Sequence, residues 1–183
     1  MHYLEPYLSQ RQPAQHTPAF SSPVKDPQQS LAMHIAVYFI RHPGEQLDEM
    51  RLEEIFAALP ERREVINQAI SGKLLAIDKT STFRLHWIPN QDSVEMQRAL
   101  RIARWLRKRL YYLLSQKRME YVDTHYLAEG MLLDQLLTRE GLVSTYAEAV
   151  AWLELAREAG LVTAQKRSHP KYENREIYIW SMV

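Results

Sequence analysis

Apolar positions recur at helical spacing along most of this chain. The longest such run is 93–118, SVEMQRALRIARWLRKRLYYLLSQKR, which holds no Pro or Gly. At about 100° per residue, Met96, Leu100, Ala103, Leu106, Leu110, Leu113 and Leu114 share one face. Arg98, Arg101, Arg104, Lys108 and Arg109 share the other, with Trp105 and Tyr112 among them. The spacing predicts a long helix over about 93–117 that buries one stripe and offers a basic, aromatic-interleaved surface opposite.

Shorter elements flank it. Ser30 is placed to cap a helix running to about Arg41, stopped by His42-Pro43-Gly44. Asp48 caps a second helix over about 49–59, and Pro60 opens a third over about 61–72, ended by Gly72. Leu75 and Ile77, a polar DKTST, then Phe83, Leu85 and Trp87 alternate as a hairpin with a polar tip. After the long run, Glu120-Tyr121-Val122 reads as a short strand. Asp123 or Thr124 then caps a helix reaching about Arg139, weakened at Gly130. Ser144 caps a further helix ending at Gly160, and Leu161-Val162-Thr163 and Glu176–Trp180 enclose a long polar tip. Residues 1–29, with Pro6, Pro13, Pro18, Pro23 and Pro27, show no apolar period and read as an extended or disordered arm. Its Tyr3, Leu4, Tyr7, Leu8 and Phe20 leave two readings open, a plain tail or a strap onto a partner.

The stretch REVINQAISGKLLAIDKTSTFRLHWI resembles a winged-helix domain, a helix-turn-helix variant: third helix, glycine turn, apolar strand, polar wing, second strand. AREAGLV, a basic loop and REIYIW resemble the end of a second copy. The resemblance implies a mainly α fold with small β-hairpins, as tandem winged-helix domains joined by a long central helix. The divisions are an arm over 1–29, a first domain over 30–90, the basic helix over 91–118 opening the second domain, and the rest of that domain over 119–183. The repeat is architectural, without residue-level identity between copies.

Composition narrows the function. The net charge is only +1, but it is segregated: 93–118 carries +7 between segments of −4 (45–72) and −6 (119–160). Zero cysteines exclude disulfides, thiolate metal sites and thiol nucleophiles, and fit a reducing cytoplasm. No apolar run is long enough to span a membrane, and MHYLEPYLSQ lacks the features of a secretory signal. Phosphate loops, dinucleotide fingerprints, zincin motifs and nucleophile elbows are absent. The seven His are scattered, and Asp48-Glu49 and Glu53-Glu54 suit helix first turns or solvated faces. No enzyme, cofactor or metal is expected.

The resemblance implies that the third helix of a winged-helix unit reads the major groove and the wing touches the backbone. In the first copy the base-reading candidates are Arg62, Arg63, Asn67 and Gln68, types capable of bidentate base contacts. Phosphate candidates are Lys73, Lys79 and Arg84, the helix residues Arg98, Arg101, Arg104, Lys108 and Arg109, and the second wing's Lys166, Arg167 and Lys171. The third helix of the second copy is acidic, with Glu148, Glu154 and Glu158, and suits protein better than a duplex. The basic face of 93–118 keeps three readings: a phosphate surface, a subunit interface, or a helix buried on two sides whose Arg stems cover apolar surface. The expected function is sequence-specific binding of double-stranded DNA by a cytoplasmic regulator or DNA-maintenance factor, as a homodimer on paired half-sites. The alternative is a non-catalytic adaptor with protein contacts through the arm or the acidic helix 144–159.

Overall fold

Helix α1, Pro27–Arg41, begins one turn before Ser30. Pro27 is preset for the first helical position, and the Asp26 carboxylate accepts the Gln28 N–H at 3.0 Å. The computed structural model describes residues 26–80 and 85–183. Most of the expected arm, with its Tyr3, Leu4, Tyr7, Leu8 and Phe20, therefore lies outside the described residues. Its last residues, Pro27–Gln29, are helical rather than extended.

In the first half, Gly44 (φ +81°) turns the chain to Leu47, which bridges to Trp87. Asp48 caps α2, Glu49–Ile55, accepting the Arg51 N–H at 2.9 Å. Helix α3, Arg62–Ser71, follows Glu61, and no side chain caps it. Gly72 ends α3, but the left-handed residue is Lys73 (φ 58°); at Gly72 the amide of Gln28 fills the space a methyl would take. Strand β1, Leu75–Ile77, pairs antiparallel with β2, Trp87–Pro89, with Ala76 opposite Ile88. The return strand thus starts at Trp87, later than the alternation predicted, and Leu85 is exposed. Phe83 and the tip residues Ser81, Thr82 and Arg84 lie outside the described residues.

In the second half, the Ser93 hydroxyl caps α4, Val94–Tyr111, and one π-helical turn, Tyr112–Gln116, extends it. The predicted stripe is buried, except that Leu114 is half-buried, and Ala99 and Ile102 widen it. The helix expected to run from 124 to 139 is two helices. Asp134 is extended and separates α5, Thr124–Leu133, from α6, Gln135–Arg139. Its carboxylate accepts the N–H groups of Leu136 and Leu137 and so starts the second helix. Thr145, not Ser144, is the cap of α7, Tyr146–Glu158. Ser144 donates its N–H and hydroxyl to Glu148 Oε2 while Thr145 Oγ1 accepts the Glu148 N–H, a displaced capping box. Strands β3, Val162–Ser168, and β4, Glu176–Met182, form a hairpin with Gln165 opposite Ile179. No strand forms at 120–122. Asp123 makes a single bridge to Ile179, and Val122 O accepts the Trp180 N–H at 2.9 Å.

The fold is mainly helical with two small antiparallel hairpins. Helix α1 packs against α3, α4 and α7, and both halves contribute to one buried cluster. At the end of α1, Arg41 donates to Gly160 O at 2.6 Å and Ile40 O accepts from Arg107 at 3.1 Å. Among the described residues, no helix is long and apolar enough to cross a membrane.

Candidate nucleic-acid interface

The predicted base readers sit together on α3. Arg62, Arg63, Asn67 and Gln68 are all exposed, and only Ala69 of that helix is fully buried. Glu64 lies on the same exposed side, and its carboxylate accepts from Gln68 Nε2 at 3.4 Å. An acid there repels phosphate, but it can also accept from the exocyclic amine of cytosine. Lys73 is exposed just beyond α3. Its carbonyl accepts from Asn90 Nδ2 at 2.7 Å, which ties it to the loop leading into α4. Lys79 is exposed on the first hairpin; Arg84 lies outside the described residues.

The basic face of α4 divides along its length. Arg98 donates to Gly141 O at 3.2 Å and Arg101 forms an ion pair with Glu140, so both are engaged by the segment after α6. Trp105 donates its indole N–H to Asp134 at 2.8 Å and is half-buried rather than offered to solvent. Arg109 is half-buried, 5.9 Å from the Tyr112 ring centre, with Lys117 5.5 Å from the same ring. Arg104 and Lys108 stand on the outer face and are exposed. Helix α1 packs against both α3 and α4, and the two cationic sets are thus carried by separate helices.

On the second hairpin, Lys166 pairs with Glu176, which raises the Lys166 pKa above its ordinary value by hydrogen bond and charge. Arg167 donates to Gln165 at 3.2 Å, and Lys171 is exposed. The feature that sequence reading passed over is Tyr172. It is exposed at the tip, with the His169 ring 4.7 Å and the Arg175 guanidinium 5.0 Å from its ring centre. The signal was available as HPKYENR, an aromatic among cations in a loop. The acids of α7 are largely used within the molecule: Glu148 in the cap, and Glu154 with Arg157 at 2.8 Å. Among the described residues, no group of three or more His, Asp or Glu is arranged to hold a metal ion. Comparison of the chain with family models, curated proteins and solved structures gives no match.

Proposed function

We propose that this protein is a non-catalytic, sequence-specific DNA-binding protein of two winged-helix units in tandem, serving as a regulator or a DNA-maintenance factor. The observation that carries the reading is a repeated topology. In each half a helix is followed by a residue that bridges to the return strand, then by further helices and a hairpin. Leu47 bridges to Trp87 in the first half and Asp123 to Ile179 in the second. In both, the helix before the hairpin stands where a winged-helix unit carries its reading helix.

In this reading Arg62, Arg63, Asn67 and Gln68 of α3 read base edges, with Glu64 as an acceptor for cytosine. Lys73, Lys79, Arg104, Lys108, Arg167 and Lys171 hold phosphates. Arg101 and Lys166 reach a phosphate only by releasing Glu140 and Glu176, so they contribute less. A two-fold dimer would place two copies of α3 on paired half-sites.

The test is selection of duplexes from a random-sequence library, followed by anisotropy of the selected duplex across a salt series. The expected results are a defined motif and a log–log affinity slope that falls by about two when Arg104 and Lys108 are both replaced by Ala. A library that returns no motif, or affinity indifferent to salt, overturns the reading.

A further inference from the structure

Leu133 and Leu136 are the most exposed large apolar side chains among the described residues, at 80% and 76%. Single exposed leucines need no explanation, but these two flank one kink. That kink is held against α4. Gly130 lies beside Trp105 and Arg109, Asp134 accepts the Trp105 N–H, Glu140 pairs with Arg101, and Gly141 O accepts from Arg98. As one partner runs from 130 to 141 the other runs from 109 to 98, so the segment from Gly130 to Gly141 runs antiparallel to α4, touching it through side chains. Leu136 and Glu140 are four apart and lie on one side of the α6 turn. Glu140 also lines, with Val94, Arg98 and Arg101, an open hollow of about 250 Å³ at the start of α4. The seam therefore has an apolar pair at one end, a hollow at the other, and cations along it. No acid occurs in α4 after Glu95.

We propose that this seam docks an acidic amphipathic segment of a partner protein, with its apolar side chains over Leu133 and Leu136 and its carboxylates against Arg104 and Arg109. An exposed apolar pair beside Arg and aromatic groups is the composition of a protein interface rather than of a phosphate track. The charge selects the occupant. The seam's acids, Asp134 and Glu140, are engaged by Trp105 and Arg101, so a two-fold contact with a second copy would set the remaining cations against themselves, whereas an acidic segment complements them. The inference goes beyond the DNA reading through the leucine pair, which offers nothing to phosphate; Arg104 is shared by the two readings, so the leucine variant is the one that separates them.

The experiment is selection of a random twelve-residue peptide library displayed on phage against the full chain, with counter-selection on the Leu133→Ser, Leu136→Ser double variant. Retained sequences are expected to combine Asp or Glu with large apolar residues at helical spacing. A synthetic peptide of the most retained sequence is expected to bind the double variant about tenfold or more weakly. It should also bind Arg104→Glu several-fold more weakly. Both substitutions lie at exposed positions, and an unchanged melting temperature confirms that the variants fold. Duplex affinity of the leucine variant is expected to match the parent. The proposal is overturned if no sequence is retained beyond the double variant, or if retained sequences lack acids. It is equally overturned if the parent sediments as a dimer that the leucine substitutions dissociate, or if those substitutions weaken duplex binding while leaving the peptide bound.

Discussion

The two halves of the molecule share an order of elements but divide the work of folding unequally. The helix before the second hairpin, α7, buries Ala149, Trp152, Leu153, Leu155 and Ala156 and is fixed by a capping box. Its counterpart α3 fully buries only Ala69, has no side-chain cap and is preceded by Glu61 in the left-handed region. The hairpins differ in the same direction, with seven-residue strands in the second half and three-residue strands in the first. The return-strand tryptophans follow suit: Trp180 is fully buried with its N–H on Thr124 Oγ1 at 2.8 Å, whereas Trp87 is half-buried. One topology thus serves two purposes. The second half supplies more of the core through its last helix and hairpin, and the first, whose buried residues lie largely in α1, can give its third helix to polar side chains.

The strongest way to break this comparison is at the tryptophans. Trp180→Ala removes a filled core position and orphans the Thr124 hydroxyl, and is expected to cost about 3–5 kcal/mol in urea denaturation. Trp87→Ala, at a half-buried site, should cost roughly half as much. Equal losses would mean that the two hairpins carry equal shares of the core.

The polar side of the contrast is tested in binding. Asn67→Ala is expected to leave folding unchanged and to weaken the selected duplex by about 1–3 kcal/mol, with relaxed preference at one base position. Glu154→Gln, on the α7 counterpart, should leave duplex affinity as it is, because Glu154 serves Arg157. A loss at Glu154 equal to that at Asn67 would remove the assignment of reading to the first half. A smaller stability effect is expected at the cap: Thr145→Ala should cost about 1 kcal/mol. No equivalent side-chain cap exists at Glu61, so Glu61→Ala should not show that loss.

Much of this arrangement was legible in the residues. The Asp48 cap, the buried stripe of α4 and the second hairpin follow from local rules that bury apolar periods and satisfy helix ends, and all three stand in the structure. What failed did so for tertiary reasons. Asp134 reads as one polar position in a continuing helix, yet its carboxylate is taken by Trp105, which lies 29 residues earlier, and by the start of α6. No periodicity announces that. At the start of β2, Trp87 pairs both with Ile77 in the hairpin and with Leu47, a partner outside it that no alternation could announce. Among the site residues, spacing placed Arg101 on the outer face of α4 correctly. It could not show that Glu140 would meet Arg101 there while Arg104, one turn on, faces solvent.

Gly130 gives the smallest effect and a sign that separates two accounts of the α4–α5 contact. Sequence reading counts Gly130 as a weak point in a helix, and the structure sets it against the Trp105 indole. If glycine were needed for that approach, adding a methyl would force α5 away and break the Asp134–Trp105 hydrogen bond. A Cβ at this position would lie 3.5 Å from Trp105 Cη2 and 4.0 Å from Arg109 Nε, both ordinary contact distances. The backbone is helical, so alanine also lowers the entropy that folding must remove. Gly130→Ala is therefore expected to stabilise the protein by about 0.5–1 kcal/mol, seen as a higher melting temperature. In the first half Gly72→Ala, at a φ of −73° that alanine accepts, meets only the movable end of the Gln28 side chain. A destabilising Gly130→Ala would place α5 closer to α4 than these distances allow, and would tighten the seam on which the docking proposal depends.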